Sequence, residues 1–146
     1  MHPDAADYWL QAERNLARAR NDLAHAFYDG AVANAQQAAE LALKALVVDT
    51  GTAPPYTHDL DELARVLAAH GRHAPADVRT HAHAIPSGTW TRARYPDPAV
   101  HFVPARDISE AEARGILDHA EAVWAWVHGQ LLPPAPPPAA RPSTTT

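Results

Sequence analysis

Apolar side chains recur along this chain at helical spacing in successive segments, and none shows the strict alternation that marks a half-buried strand. From Asp4 to about Ala26, the residues Trp9, Ala12, Leu16, Ala19, Leu23 and Ala26 step alternately by three and four, which predicts a first helix. Asp29 and Gly30 read as a turn. A second helix is then expected from about Ala31 to Gly51, whose glycine supplies a C-terminal stop. Alanine, valine and leucine cover most of its circumference, so it should be the buried centre of the fold. Its one polar stripe is Gln37, Glu40 and Lys44, with Gln36 beside it. Asp59 and Glu62 have capping-box spacing, with Thr57 as the alternative cap, and open a short third helix over Leu60, Leu63 and Leu67 that ends near Gly71. Residues 75–85 suggest one or two further turns, opening with Pro75 at an N1-like position. Residues 86–107 contain four prolines and no clean period, and a long internal loop of this kind is usually functional. Ser109 and Glu112 form a second capping box before Ala113, Ile116, Ala120, Val123 and Val127, a final helix running to Gly129.

These amphipathic helices and their short connections imply an all-α, mostly antiparallel up-and-down bundle over residues 1–130. Residues 131–146 are expected to form a proline-rich, extended and disordered tail, since past Leu132 they carry no apolar side chain larger than proline. The alanine-rich seams allow close helix contacts and leave a face of the first or last helix for a second copy. Trp124 and Trp126 are candidate anchors of that contact, the alternative being that Trp124 lies in the internal core and Trp126 sits half exposed.

With 146 residues the chain has the length of one domain. It contains no cysteine, which excludes disulfides and thiolate metal sites. No apolar run reaches the roughly 18 residues of a membrane span, and the acidic N-terminal stretch is unlike an export signal, so a cytoplasmic protein is expected. The net charge of -5 argues against a lysine-coated nucleic-acid binder, but the charge is uneven. Residues 1–64 hold ten acids against four bases, residues 65–106 two acids against six arginines, and residues 107–146 five acids against two arginines. The middle segment also holds His70, His73, His81, His83 and His101. An anion would dock there, although uneven charge is also common in small domains.

Glu40 and Lys44 have the favourable order of an i,i+4 ion pair, and Lys44 is the only lysine. On so apolar a helix their stripe is either a solvated pair or a partly buried polar cluster. His58 belongs to the N-terminus of the third helix, where free amides can also hold an anion. The spacings His70-x2-His73 and His81-x-His83 lack acids nearby and helical continuity, so neither a metal nor a cofactor is expected.

The run YDGAVANAQQAAELALKAL (28–46), then HDLDEL (58–63), then RYPD (94–97) resembles the prokaryotic HEPN family in order and spacing. The resemblance implies a four- or five-helix bundle, usually a homodimer, often encoded beside a minimal nucleotidyltransferase in a toxin–antitoxin pairing. It directs attention to RNA or nucleotides as ligands. Some members are metal-independent ribonucleases with an Arg-x4–6-His motif, and Arg94 and His101, six residues apart, offer one match. In that branch His101 would act as base or acid while Arg94 bound the scissile phosphate, the 2′-hydroxyl attacking phosphorus to leave a 2′,3′-cyclic phosphate. The alternative is a non-catalytic interaction or nucleotide-binding module in which RYPD only organises the fold. Arg92, Tyr95 and Asp97 complete the candidate binding residues, with Asp97 expected to brace the loop through an ion pair to Arg94 or Arg92.

Overall fold

The computed structural model describes residues 1–132 and 138–143, and half of the expected tail lies outside the described residues. Among the described residues there are seven α-helices and no strand: α1 (Pro3–Ala24), α2 (Tyr28–Asp49), α3 (Leu60–Ala69), α4 (Ala76–His83), α5 (Thr89–Arg94), α6 (Pro104–Asp107) and α7 (Glu110–Leu131). None of them is long and apolar enough to cross a membrane.

Local chemistry accounts for the helix ends. His2 caps α1, its Nδ1 accepting the Asp4 N–H at 3.1 Å, and Pro3 occupies the first turn, where a missing N–H costs nothing. At the other end, Ala26 adopts a left-handed φ of 62°, the Ala26 N–H bonds Leu23 O, and the Phe27 N–H bonds Asp22 O at 2.8 Å. This is a Schellman ending with alanine in the position glycine normally takes. The turn therefore falls at residues 25–27, and α2 starts at Tyr28, three residues before the position predicted from Asp29-Gly30. Gly30 lies inside α2 because a Cβ there would stand 2.6 Å from the Asp22 carboxylate. Gly51 and Gly71 end α2 and α3 with φ of 86° and 79°, as their positions suggested. Asp59 caps α3 through the Asp61 N–H at 2.9 Å, and Ser109 caps α7 through the Glu112 N–H at 3.0 Å. Pro75 is the cap residue of α4 rather than its first helical position. The segment expected to be irregular folds in part, into α5, a 3₁₀ turn at Pro98–Val100, and α6.

Helix α2 is the axis of the bundle, packed by α1, α3, α5 and α7. Alanines without exposed surface, such as Ala12, Ala19, Ala35, Ala38 and Ala42, let α1 and α2 approach closely. Trp9, Leu16, Leu43, Leu46, Leu63 and Val123 fill the main core. Trp124 stacks on Trp9 with ring centroids 4.6 Å apart, and Trp124 and Trp126 both pack half-buried against the same core. A smaller core of Val32, Ala93, Ile108 and Ala113 seats α5 and α6 against α2 and α7. Leu131 is buried, which carries the bundle one residue past its expected end.

Candidate functional site

Helix α5 is short because Pro86 and Gly88 precede it and Pro96 follows it. Thr89 and Ala93 are its buried face, and the residues flanking that face point in two directions. On one side Trp90 and Arg94, one turn apart, stack, with the guanidinium carbon 5.3 Å from the indole centroid and the Tyr95 ring edge-on to the indole at 6.1 Å. On the other side Arg92 lies 4.4 Å over the Phe102 ring and forms an ion pair with Glu112 in the first turn of α7. Thr91, Arg92, Tyr95, Asp97 and Phe102 line an open cleft of about 820 Å³. Arg92, Tyr95 and Asp97, singled out from sequence, thus share one cavity.

The expected ion pair between Asp97 and an arginine does not form. The Asp97 carboxylate accepts the Ala99 N–H at 3.2 Å and so caps the 3₁₀ turn, while its backbone pairs in both directions with Phe102. Local turn formation satisfies that carboxylate first, and Arg92 finds Glu112 instead. His101 closes the same turn in a left-handed conformation with φ of 52°, and its carbonyl accepts from Arg106 Nη2 at 2.8 Å. Its ring is exposed and makes no hydrogen bond to a described residue. Neither Arg94 nor His101 lines the cleft, and no described side chain links the two.

A second constellation forms on the polar stripe of α2. Glu40 and Lys44 pair at 3.2 Å with side chains only 6% and 12% exposed, which decides for the partly buried cluster over the solvated pair. The Glu40 Oε1 also accepts from Gln36 Nε2 at 3.2 Å and from His58 Nδ1 at 2.8 Å. His58 therefore turns away from the α3 amides and toward α2. Gln36, Gln37, Glu40, His58 and Trp90 line a recess of about 130 Å³. Trp90 both lines this recess and carries the Arg94 guanidinium.

Three of the six arginines of the basic middle segment are neutralised locally. Arg72 pairs with Asp49, Arg92 with Glu112 and Arg106 with Asp107, whereas Arg65, Arg79 and Arg94 have no carboxylate within ion-pair distance among the described residues, and of these three Arg94 lies on an aromatic ring. The Arg106 hydrogen bond, aided by the Val103 N–H, holds Asp107 below the usual carboxylate range. Three of the segment's five histidines are likewise engaged: His70 with Thr52 at 2.9 Å, His81 with His119 at 2.9 Å, and His83 with Asp61 at 2.8 Å. The hydrogen bond to Asp61 raises His83 above its ordinary value of 6.5. Among the described residues no three potential ligands converge on a point where a metal ion could sit.

Sequence reasoning missed Trp90, Phe102 and Glu112. The Trp90–Arg94 spacing was visible, but six helical residues between prolines are too few to show a period.

A helical bundle centred on one apolar helix, with an arginine- and aromatic-rich segment packed against it, defines the class of this protein. The model of the HEPN domain matches residues 5–130, and the chain belongs to the HEPN family. A crystal structure of TT1696 from Thermus thermophilus is 32% identical with a TM-score of 0.74, covering 86% of this chain and 97% of that one. The crystal structure of ST0689, described as an archaeal HEPN homologue, is 29% identical with a TM-score of 0.70, covering 87% and 97%. No curated protein matches.

Proposed function

We propose that this chain is a nucleic-acid-directed or nucleotide-binding HEPN protein, acting as a homodimer with a nucleotidyltransferase partner in a toxin–antitoxin or related system, and that Arg94 holds the phosphate of its ligand. The observation that carries this reading is the state of Arg94. Its neighbour Arg92 is tied to Glu112, but Arg94 lies spread on Trp90, exposed and with no acidic partner among the described residues. A guanidinium so placed offers its planar fork to phosphate. Tyr95, exposed and next to Arg94 in sequence, adds an aromatic surface suited to stacking the base of a single strand.

Cleavage would need a proton-transfer group, and His101 is the residue at the motif spacing. Its ring has no orienting partner among the described residues, which favours the second reading, a binding module without catalysis. A labelled single-stranded RNA separates the two. Arg94→Ala is expected to weaken binding about tenfold or more, the equivalent of one charged hydrogen bond of roughly 1.5–3 kcal/mol. Unchanged affinity would sink the assignment of Arg94. Cleavage by the wild type that disappears in both Arg94→Ala and His101→Ala supports the metal-independent ribonuclease. Absence of cleavage, or cleavage indifferent to both, leaves the binding module. Light scattering that reports a mass near the 15.8 kDa of one chain would overturn the homodimer.

A further inference from the structure

The recess beside Trp90 has a chemistry unlike that of a phosphate site. Its floor is Glu40, 4% exposed, and Gln36, 1% exposed. A carboxylate offers about four acceptor positions. In Glu40, Gln36 and His58 occupy two on Oε1 and Lys44 one on Oε2, so an acceptor position remains. Since the carboxylate can only accept, His58 donates from Nδ1, and its Nε2 is left as an acceptor on an exposed ring. Gln37 Oε1 accepts from Asn15 Nδ2 at 3.1 Å, which leaves the Gln37 amide NH2 as a pair of donors. The recess therefore presents acceptors and donors side by side against an indole. At about 130 Å³ it is smaller than the roughly 300 Å³ where whole-ligand pockets begin, so it suits a single base rather than a whole nucleotide. Lys44 is already paired with Glu40, so no free positive charge faces a phosphate in this space, whereas Arg94, on the same indole, carries one.

We propose that this recess is a nucleobase subsite that selects a ring bearing an exocyclic amino group, adenine or cytosine. The amino group donates to Glu40 or His58 Nε2, and the adjacent ring nitrogen accepts from the Gln37 amide. These are the pairings by which glutamate and glutamine read cytosine and adenine edges in nucleic acids. The inference rests on Arg94 as the phosphate-holding group. It adds a second contact, on α2 and the segment before α3, that reads the base attached to that phosphate.

Displacement of labelled RNA from the full-length protein by AMP, CMP, UMP and ribose 5-phosphate tests the subsite. AMP or CMP is expected to displace at concentrations at least about tenfold lower than UMP or ribose 5-phosphate, the discrimination of one bidentate base contact. His58→Ala and Gln37→Ala should abolish this ratio, whereas Arg94→Ala should weaken all four competitors and leave the ratio intact. His58 is exposed, so His58→Ala keeps the test valid if Gln37→Ala, which strips a partner from buried Asn15, fails to fold. Equal displacement by all four compounds, no displacement by any of them, or a ratio that survives His58→Ala overturns the subsite. RNA binding that still depends on Arg94 would then leave the proposed function standing. Base discrimination that persists while Arg94→Ala has no effect would instead remove Arg94 and keep the recess.

Discussion

Glu40 shows how a residue's surroundings change what its identity means. In the sequence it is the acid of a common helical pair, worth roughly 0.2–0.5 kcal/mol on a surface. In the fold it is almost wholly enclosed and is the shared acceptor for Lys44, Gln36 and His58. Glu40→Ala strands a Lys44 ammonium that is 12% exposed, and about 3–5 kcal/mol of stability should be lost in urea denaturation, as for other broken buried pairs. Replacing both members together, as Glu40→Leu with Lys44→Met, should cost far less, because no charge is left behind. A loss in the double variant as large as in Glu40→Ala would contradict this account. At His83 the Asp61 hydrogen bond favours the charged ring, so its contribution to stability is fully present below pH 6.5 and fades as pH rises through the elevated native value. Proton NMR should place the His83 midpoint above 6.5, and Asp61→Asn should bring it back toward that value.

The helix ends are where element-scale reading succeeded and failed in instructive ways. Gly51 and Gly71 stand where the left-handed conformation needs glycine, so two helix stops were legible directly. The stop after α1 was not, because Ala26 occupies the left-handed position while Gly30, four residues on, imitated a turn. Ala26→Gly should therefore stabilise the protein by about 1 kcal/mol, the relief of a left-handed alanine (roughly 1–2 kcal/mol) exceeding the added freedom of the unfolded chain (roughly 0.4–1 kcal/mol). A lowered thermal midpoint would refute that. Gly30→Ala runs the other way. In an open helix the change gains up to about 1 kcal/mol, but here the new methyl group would displace the Asp22 carboxylate and its 3.0 Å bond from Asn34. The variant should be no more stable than wild type, and adding Asp22→Ala should recover the helical gain. Helix α5 escaped detection because proline on each side shortens it below one hydrophobic repeat.

At the scale of the whole molecule, Trp9 joins α1 to α7 through its stack on Trp124, and His128 completes the cluster, with its ring 5.3 Å from Trp124 and 5.7 Å from Trp9. Trp9→Ala should cost about 3–5 kcal/mol, the usual consequence of emptying a large core site, read as a fall in the denaturation midpoint. Among the described residues the last core member is Leu131, and ending the chain after Leu132 should leave that midpoint unchanged. Local information alone determined the all-helical class, the central place of α2, the caps at Asp59 and Ser109 and the family, because helical periodicity, capping chemistry and the motif order are properties of neighbouring residues. The site was legible only in pieces: the residues at 40, 44, 58, 92, 94, 95 and 97 were marked, but their partnerships were not. Tertiary structure decided that Arg92 belongs to Glu112 and that Asp97 serves its own turn. It also brought His58 across 18 positions to Glu40 and set Trp90 in contact with both their recess and Arg94. Charges separated by tens of residues find partners only when helices pack, and packing sums contacts over the whole chain that no local pattern contains.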